Sequence, residues 1–383
     1  MNLVISRQAL ADALKRAGSA IRPNSTTGIC RGVRLEAKRG TLALSGTDLE
    51  VYVRTEAEAD VTASGVAVVN HARLSTFVSC MGGEDVELSI HERDKTKHLV
   101  VKSGGRRATV ALLDERTWPQ MNYLKKDAAE YAVDARDIDR AISSVRYSMA
   151  KTNDRPLLTG ICIEIDAAGF TAVATDSVSL CVFSDPAERG YSPSKGTKEA
   201  TLPAFLVAAL GKLLSDVSGE VKLRTDGKLA EFVAEGLTVR GRIFAEKYPA
   251  WRNVLRLKEA AKSSIEVQRS ELIDALRLAA NTAEEAVGGL FVRAKIGRDG
   301  IAISGTADDS TSSAFVAGNY VKGGGEETYL VNPKKLLDLA SATVSDNILV
   351  RYDPANKKQP IVVECAAGLL CLLQPAAFEK IAK

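Results

Sequence analysis

The chain has 383 residues, of which 45% are hydrophobic and 26% charged, and its formal net charge is +3. This length predicts two to four domains of ordinary globular composition. There is no run of about 18 apolar residues and no apolar signal core at the N-terminus, so we expect a cytoplasmic protein without a membrane partner. The small net charge does not by itself indicate a nucleic-acid partner.

The six cysteines are scattered, no two of them form a CxxC pair, and the chain contains only three histidines. A zinc site needs about four such ligands at close spacing, so this supply is poor. We therefore predict no metal, no cofactor, and cysteines that are buried and reduced.

The first predicted element is a short strand that leads into a helix, at Ile5–Leu10. The same pattern recurs at Val133–Ile138 and at Val267–Leu272, each followed by apolar residues at helical spacing. The copies lie about 130 residues apart along the chain. Such spacing indicates an internal repeat, present three times.

The next elements of each repeat also recur. A glycine precedes a strand and a turn, and the turns contain Thr47-Asp48, Thr175-Asp176 and Thr306-Ala307. A second helix is predicted after Asn70, Pro203 and Asn332, because asparagine and proline suit a helix N-terminus. Alternating strands follow, such as Val86–Ile90 and Ile348–Tyr352. Trp118-Pro119 and Tyr248–Trp251 then close the first two repeats.

These elements predict an α+β fold made of three similar domains, with antiparallel sheets and two helices per domain on one side. Charged stretches near residues 127 and 257 mark the expected boundaries. The predicted domains are residues 1–127, 128–257 and 258–383.

In order and spacing, the motifs resemble the β subunit sliding clamps of bacterial DNA polymerase III. The matching segments are Leu44–Glu50, Tyr147–Ala150, Leu158–Gly160, Val173–Asp176, Tyr248–Leu255, Asn332–Leu339 and Leu372–Pro375. The resemblance implies three clamp domains per chain and a head-to-tail homodimeric ring, with sheets outside and helices inside. It further implies a processivity factor without enzymatic activity, which encircles double-stranded DNA and docks the replicative polymerase, the clamp loader and other proteins that carry clamp-binding peptides.

The resemblance also implies roles for individual residues. Basic residues in the family contact DNA on the inner helices and on loops at the ring face. The matching positions are Arg22, Arg73, Arg140, Lys151, Arg155, Lys334 and Lys335. Without the family resemblance, a charged residue on a helix is as often a solvated surface residue as a residue that contacts DNA.

A cleft between the second and third domains of the family binds short peptides from partner proteins. The matching positions are Leu158, Thr175, Ser177, Val178, Leu180, Pro249, Val254, Leu372, Gln374, Pro375 and Ala376. An apolar pocket that buries one or two anchor side chains would explain such binding. Read alone, Leu158, Leu180 and Val254 are more often ordinary core residues. The chain also extends past the usual end of the family, with a tail at Phe378–Lys383.

The head-to-tail interface should join an edge strand of the first domain to the third domain, because exposed edges are ready templates for pairing. The expected interface residues are Arg106, Arg107, Val110, Asn281, Thr282, Asp308 and Asp309. The two arginines would face the two aspartates.

Three alternatives to a bacterial-type clamp are a hydrolase, a two-domain clamp and a divergent clamp paralogue. For a hydrolase, Ser192–Lys195 matches SxxK but lacks companion motifs, and the recurrence of the Thr-Asp pairs indicates turn residues rather than catalytic ones. A two-domain trimeric clamp of the archaeal and eukaryotic kind disagrees with three repeats in one chain. A divergent clamp paralogue, phage-borne or inhibitor-resistant and with altered partner specificity, remains open.

Overall fold

The computed structural model of the chain describes residues 1–93, 96–120, 123–152, 154–166, 169–186, 199–286, 289–307, 309–343, 345–365 and 368–376. They group into two compact units. The first unit holds the described residues of Met1–Asp139 and Ala204–Ile243, and the second holds those of 140–186, 199–203 and 244–376. The division into three domains stays a prediction. Among the described residues, none of the helices combines the length and the hydrophobicity needed to cross a bilayer.

Seven α-helices lie in the described part of the chain. They are α1 (Arg7–Gly18), α2 (His71–Ser79), α3 (Ala135–Val145), α4 (Ala204–Leu213), α5 (Trp251–Leu255), α6 (Arg269–Ala280) and α7 (Pro333–Ala342). Two of them begin as the asparagines predict. The Asn70 side chain accepts a hydrogen bond from the backbone N–H of Arg73 (3.0 Å), and Asn332 accepts one from that of Lys335 (3.1 Å). Each bond satisfies one of the N–H groups that a helix start leaves without a helical partner.

The strands are numbered in chain order. The first fourteen are β1 (Asn2–Ser6), β2 (Gly32–Lys38), β3 (Thr41–Thr47), β4 (Val51–Glu58), β5 (Asp60–Ala63), β6 (Gly65–Asn70), β7 (Asp85–Arg93), β8 (Thr96–Ser103), β9 (Arg106–Ala111), β10 (Ala129–Asp134), β11 (Gly160–Asp166), β12 (Gly169–Thr175), β13 (Ser179–Pro186) and β14 (Glu199–Pro203). The others are β15 (Glu220–Thr225), β16 (Leu229–Ala234), β17 (Leu237–Arg242), β18 (Ser263–Gln268), β19 (Glu284–Ala286), β20 (Gly289–Ile296), β21 (Gly300–Ala307), β22 (Ser310–Lys322), β23 (Glu327–Val331), β24 (Asn347–Tyr352), β25 (Ile361–Cys365) and β26 (Leu369–Leu373).

The first unit contains two antiparallel sheets. One has the order β5-β1-β7-β8-β9, so β9 lies at its edge. The other has the order β10-β15-β16-β17-β4-β3-β2-β6, in which β17 joins β4 with Val239 opposite Val53. Helix α1 packs its buried residues Leu10 and Leu14 into a core that also contains Leu35. Burial of this apolar stripe, rather than helix propensity, holds α1 in place.

The second unit contains one long antiparallel sheet. Its order is β14-β11-β12-β13-β26-β25-β24-β18-β22-β21-β20-β19, and β23 pairs with β20. Strand β13 pairs with β26 with Leu180 opposite Leu372, although 192 residues separate the two in the sequence. This pairing brings residues predicted for the second and third domains side by side.

The predicted α+β class with repeated units is confirmed. A strand leads into a helix at β1–α1, β10–α3 and β18–α6, and the second helices of the repeats are α2, α4 and α7. The predicted strands Val86–Ile90 and Ile348–Tyr352 lie within β7 and β24.

The cysteines differ from the expectation of six buried, reduced thiols. Cys30, Cys162 and Cys365 are buried and free, whereas Cys80 is exposed. Cys181 and Cys371 form a disulfide. They lie directly opposite each other on β13 and β26, with a Cα–Cα distance of 4.2 Å. Sequence spacing did not indicate this pair because strand pairing across 190 residues creates it.

Candidate functional site

An apolar cavity of about 310 Å³ opens in the second unit. Its walls come from the turn between β12 and β13, from β13 and β26, and from helix α5. Eight of the residues predicted for peptide binding line it: Thr175, Ser177, Val178, Leu180, Pro249, Val254, Leu372 and Gln374. Five further lining residues were missed by the sequence analysis: Ser179, Ala250, Trp251, Leu257 and Pro360.

The cavity has a buried floor and a half-exposed rim. Leu180 and Leu372 form the floor and are only 4% and 3% exposed. Val178, Val254 and Leu257 at the rim are 46%, 43% and 40% exposed. A ligand with an apolar side chain would cover this rim surface, and full burial of such an anchor contributes about 1.5–3 kcal/mol. The floor needs no rearrangement, which suits a preformed ligand site.

Three of the predicted residues, Leu158, Pro375 and Ala376, support the cavity without lining it. Leu158 is buried and packs in one apolar cluster with Leu180 and Leu372, behind the floor. Pro375 is buried, and the backbone N–H of Ala376 donates to the carbonyl of Leu330 (2.9 Å). These contacts hold the chain just beyond β26. The tail Phe378–Lys383 lies outside the described residues.

Helix α5 contributes Trp251, whose ring is held in a defined orientation. The indole Nε1–H donates to Glu164 Oε1 (3.1 Å), and the Arg252 guanidinium lies 4.1 Å from the centre of the Trp251 ring. Arg252 also donates to the Glu164 carboxylate. The carboxylate therefore holds both the tryptophan and the cation that stacks on it.

Tyr248 connects the cavity wall to the turn. Its hydroxyl accepts a hydrogen bond from the backbone N–H of Thr175 (3.1 Å), and its own N–H donates to Glu199 Oε1 (2.9 Å). Burial raises the pKa of the Tyr248 hydroxyl above its ordinary value, because the interior disfavours a phenolate. The hydroxyl is therefore neutral at physiological pH and keeps its hydrogen bond.

Asp176 builds the turn between β12 and β13. Its Oδ1 accepts hydrogen bonds from the backbone N–H groups of Val178 (3.0 Å) and Ser179 (2.7 Å). The Thr175 hydroxyl donates to the Ser179 carbonyl (2.7 Å), and Ser177 adopts a left-handed φ of 74°. Asparagine, aspartate and threonine side chains stabilise turns by such local bonds. Every residue from Thr175 to Leu180 except Asp176 itself lines the cavity.

The same turn occurs in the first unit between β3 and β4. Oδ1 of Asp48 accepts from the backbone N–H groups of Glu50 (3.0 Å) and Val51 (2.8 Å), and Thr47 donates to the Val51 carbonyl (2.7 Å). Leu49, like Ser177, has a positive φ. The interpretation of the Thr-Asp pairs as turn residues is thus confirmed.

A second cavity of about 400 Å³ follows this turn in the first unit, but its lining is polar. It is lined by Arg34, Glu36, Tyr52, Arg54, Glu115, Trp118, Pro119, Gln120 and Tyr123. Glu36 Oε2 accepts from Arg34 Nη1 (2.7 Å) and lies 3.4 Å from Arg54 Nη1. Tyr52 occupies the repeat position of Leu180, and Arg54 that of Val182. An apolar anchor would have to desolvate these charges, so this cavity does not suit it.

One group of residues brings possible metal ligands together. Atoms of Cys162, Glu164 and Glu199 lie within 4.8 Å of one another. Burial raises the pKa of the Cys162 thiol above its ordinary value. Both carboxylates already accept hydrogen bonds, from Trp251 and from the N–H of Tyr248. The arrangement therefore stabilises the cavity wall.

Comparison with known proteins assigns the chain to a family. The family model for the N-terminal domain of the DNA polymerase III beta subunit matches residues 1–122, and the model for its central domain matches residues 132–250. The chain belongs to the DNA polymerase III beta subunit family. Members act as sliding clamps and processivity factors in DNA replication and not as enzymes, so the hydrolase alternative is set aside.

Individual relatives of the beta subunit family extend the likeness over nearly the whole chain. The beta sliding clamp of Staphylococcus aureus is 24% identical over 363 residues, which cover 92% of this chain and 93% of the relative. The sliding clamp of Bacillus subtilis has a TM-score of 0.88 at 17% identity, covering 98% and 99% of the two chains. The Helicobacter pylori beta clamp bound to a DNA ligase peptide has a TM-score of 0.86 at 16% identity, covering 99% and 100%. The structural likenesses establish the clamp fold.

Five of the basic residues that the beta subunit resemblance selected for DNA contact are exposed: Arg73, Arg140, Lys151, Arg155 and Lys334. The Arg140 guanidinium lies 5.2 Å from the centre of the Phe183 ring.

The other two candidates for DNA contact are engaged by acidic residues of their own unit. Arg22 Nε lies 2.7 Å from Asp48 Oδ2, and its Nη2 lies 2.7 Å from Glu50 Oε2. Lys335 forms an ion pair with Asp176. Charges that are already paired are weaker candidates for phosphate contact than the exposed ones.

Strand β9 is an edge strand, as the proposed interface requires. Arg107 is exposed on it, and Arg106 donates to the carbonyl of Cys80. Val110, however, is buried in the core of the first unit. Its side chain therefore packs inside the unit, and its part in the interface stays a prediction.

In the second unit, the expected interface residues divide in the same way. Asn281 is exposed and donates to the carbonyl of Arg277 (2.8 Å) at the end of α6. Thr282 is buried, and its hydroxyl contacts Ser312 Oγ at 2.5 Å, so its side chain lies in the core, and its part in the interface stays a prediction. Asp309 is exposed, and Asp308 lies outside the described residues.

The sequence analysis missed several exposed residues near the edge strand β19. Leu278 on α6 and Leu290 on β20 are large apolar residues exposed to about half their surface. Glu284 and Glu285 lie on β19 itself, at the edge of the sheet.

Proposed function

We propose that two copies of this chain form a head-to-tail ring that encircles double-stranded DNA in the bacterial cytoplasm. The replicative polymerase, the clamp loader and other proteins would dock to this ring through short peptides bound in the apolar cavity of the second unit. The observation that carries the proposal is this cavity. It has a preformed leucine floor and a half-exposed apolar rim, in a chain that belongs to the beta subunit family.

The shape and chemistry of the cavity favour an extended peptide with one or two large apolar anchors, such as leucine and phenylalanine. The related Helicobacter pylori clamp was crystallised with a DNA ligase peptide, which supports a peptide as ligand here. One or two anchors of about 1.5–3 kcal/mol each sum to at most about 6 kcal/mol, which is less than the roughly 8.2 kcal/mol of a 1 µM Kd, so the anchors alone favour weak binding. Weak binding suits partners that must exchange.

The exposed cations support a loose, sequence-independent contact with DNA. Arg73, Lys151, Arg155 and Lys334 offer exposed charges to phosphates, and phosphate contacts carry no sequence information. A protein that remains on DNA because it is a closed ring does not require tight contacts.

Two edge strands of opposite charge support the dimer. Strand β9 carries Arg106 and Arg107, whereas β19 carries Glu284 and Glu285. Antiparallel pairing of β9 with β19 of a second copy would satisfy the backbone groups of both edges and bring the opposite charges together. The exposed leucines Leu278 and Leu290 would add apolar contact beside this edge.

Retention on circular DNA tests encirclement. Protein placed on nicked circular DNA by a bacterial clamp loader should remain bound at high salt and should be lost once the circle is cut. Ordinary phosphate binding weakens with salt to the same extent on circles and on linear DNA. Equal salt sensitivity on the two substrates would refute encirclement.

A further inference from the structure

Lys335 lies beside the rim of the apolar cavity. It is on helix α7, and its ammonium group forms an ion pair with Asp176 Oδ2 and lies 3.3 Å from Ser179 Oγ. Both charged side chains are mostly buried. A pair at such a depth is screened much less by salt than a pair on the surface.

The contact matters because Asp176 has two separate tasks. Its Oδ1 accepts the turn hydrogen bonds from Val178, from Ser179 and from the Ser179 hydroxyl (2.9 Å). Its Oδ2 is taken by Lys335. The carbonyl of Val178 in turn accepts a hydrogen bond from the N–H of Gln374 (2.9 Å), which ties the turn to the strand that carries the other half of the floor. The orientation of one carboxylate therefore sets the position of the rim.

The first unit contains a matching pair that serves no apolar cavity. Asp48 holds its turn through Oδ1, and its Oδ2 is bound by Arg22 Nε at 2.7 Å. The cavity that follows this turn is polar. Arg22 therefore provides a control, since its removal breaks the more exposed ion pair to the turn aspartate of the first unit without touching the apolar cavity.

We propose that Lys335 is a positioning residue of the peptide site, which orients Asp176 and so preorganises the turn 175–179 that forms the cavity rim. This proposal rests on the proposed function of the cavity as a peptide site. Without Lys335, Asp176 would be a mostly buried carboxylate without its cation, and such charges are costly. The turn would relax toward solvent, and a peptide would have to restore its order on binding, which lowers affinity. The role also removes Lys335 from the DNA-contact residues.

Four full-length single variants separate these roles: Lys335→Met, Lys335→Arg, Lys334→Met and Arg22→Met. We expect Lys335→Met to weaken binding of a peptide with glutamine and a leucine-phenylalanine pair by roughly 5- to 20-fold, as for typical couplings between sites. Lys335→Arg should restore most of the affinity, because it keeps the cation. The other two should bind as the unaltered chain does. Lys334 is exposed on the same helix.

Hydrogen–deuterium exchange of residues 175–180 in the free protein gives a readout that needs no peptide. Exchange should be faster in Lys335→Met and unchanged in Lys334→Met. In an Asp176→Asn background, Lys335→Met should have no further effect, because the two substitutions break the same pair. A Lys335→Met chain with ordinary peptide affinity and ordinary exchange would overturn the proposal. If the unaltered chain bound no such peptide, the proposed peptide site would be refuted. Hydrogen–deuterium exchange would then still show whether Lys335 holds the turn.

Discussion

Tyr52 and Leu180 occupy the same position in two repeats, five residues after the threonine of a Thr-Asp turn, but they face opposite chemistry. The Tyr52 hydroxyl is hydrogen-bonded to Ser45 Oγ (3.0 Å) and borders a cavity that contains ion pairs, whereas Leu180 forms the floor of an apolar cavity. The two repeats therefore share the backbone of the turn, but the cavities beside the two turns differ in chemistry. Of these two cavities, the one in the second unit suits an apolar anchor.

Leu180→Asp should abolish peptide binding, because a carboxylate on the floor would have to be desolvated under the ligand. We expect affinity to fall by more than about 100-fold, given that each 1.4 kcal/mol is tenfold. Tyr52→Asp, at the matching position of the first unit, should leave affinity unchanged. Calorimetry with one peptide on both variants measures this, and undiminished binding by Leu180→Asp would place the partner site elsewhere.

The two tryptophans allow the occupied cavity to be identified by fluorescence. Trp251 lines the apolar cavity and Trp118 the polar one, and the chain has no others. Peptide binding should therefore alter the emission of the Trp118→Phe chain, in which Trp251 alone remains. The Trp251→Phe chain should show no change while it still binds by calorimetry. A response that is confined to Trp118 would assign the peptide to the first unit.

Charge reversal tests the proposed strand interface. Arg106→Glu with Arg107→Glu should convert the dimer to monomers at micromolar concentration, because like charges would then face Glu284 and Glu285 across the paired edges. Adding Glu284→Lys and Glu285→Lys should restore the dimer. Light scattering should report about twice the 40.9 kDa chain mass for the unaltered and restored chains. A dimer that survives the first pair of changes would exclude this interface.

The salt dependence of binding to short linear DNA tests the exposed cations. If Lys151 and Arg155 each contact a phosphate, Lys151→Ala with Arg155→Ala should reduce the slope of log K against log salt by about 1.8. Arg22 is a weaker candidate for DNA contact, because its guanidinium is already paired with Asp48 and Glu50. Arg22→Met should therefore change the slope little. An unchanged slope in the double variant would remove this loop from the DNA surface.

Tyr248 predicts a loss of stability at alkaline pH. Burial raises its folded-state pKa above the ordinary value of 10, so the unfolded chain releases the proton first as pH rises. The stabilisation is complete below pH 10 and declines above it, by at most about 1.4 kcal/mol per pH unit for one group. Tyr248→Phe should make the decline in the urea midpoint above pH 10 shallower. An identical pH profile in the variant would show that Tyr248 does not titrate differently on folding.

Local pattern was sufficient for the repeats and for most helix starts. Apolar residues at helical spacing predict helices α1, α3 and α6. Asn70 and Asn332 indicate helix starts because their side chains cap the first turn. Short-range signals of this kind act within a few residues and do not depend on the rest of the fold. The family likeness then indicated most of the cavity lining, including Leu180 and Leu372.

Only the tertiary structure decided which residues far apart in the sequence contact each other. The sequence alone determined the α+β repeats and the Thr-Asp turns, and the family resemblance indicated eight of the thirteen residues that line the cavity. The sequence did not determine that Lys335 is bound to Asp176, that Val110 and Thr282 are core residues, or that Cys181 meets Cys371. Each of these facts depends on which strands and helices become neighbours although they are far apart in the sequence. The charge and spacing of side chains along the sequence do not indicate which distant elements pair.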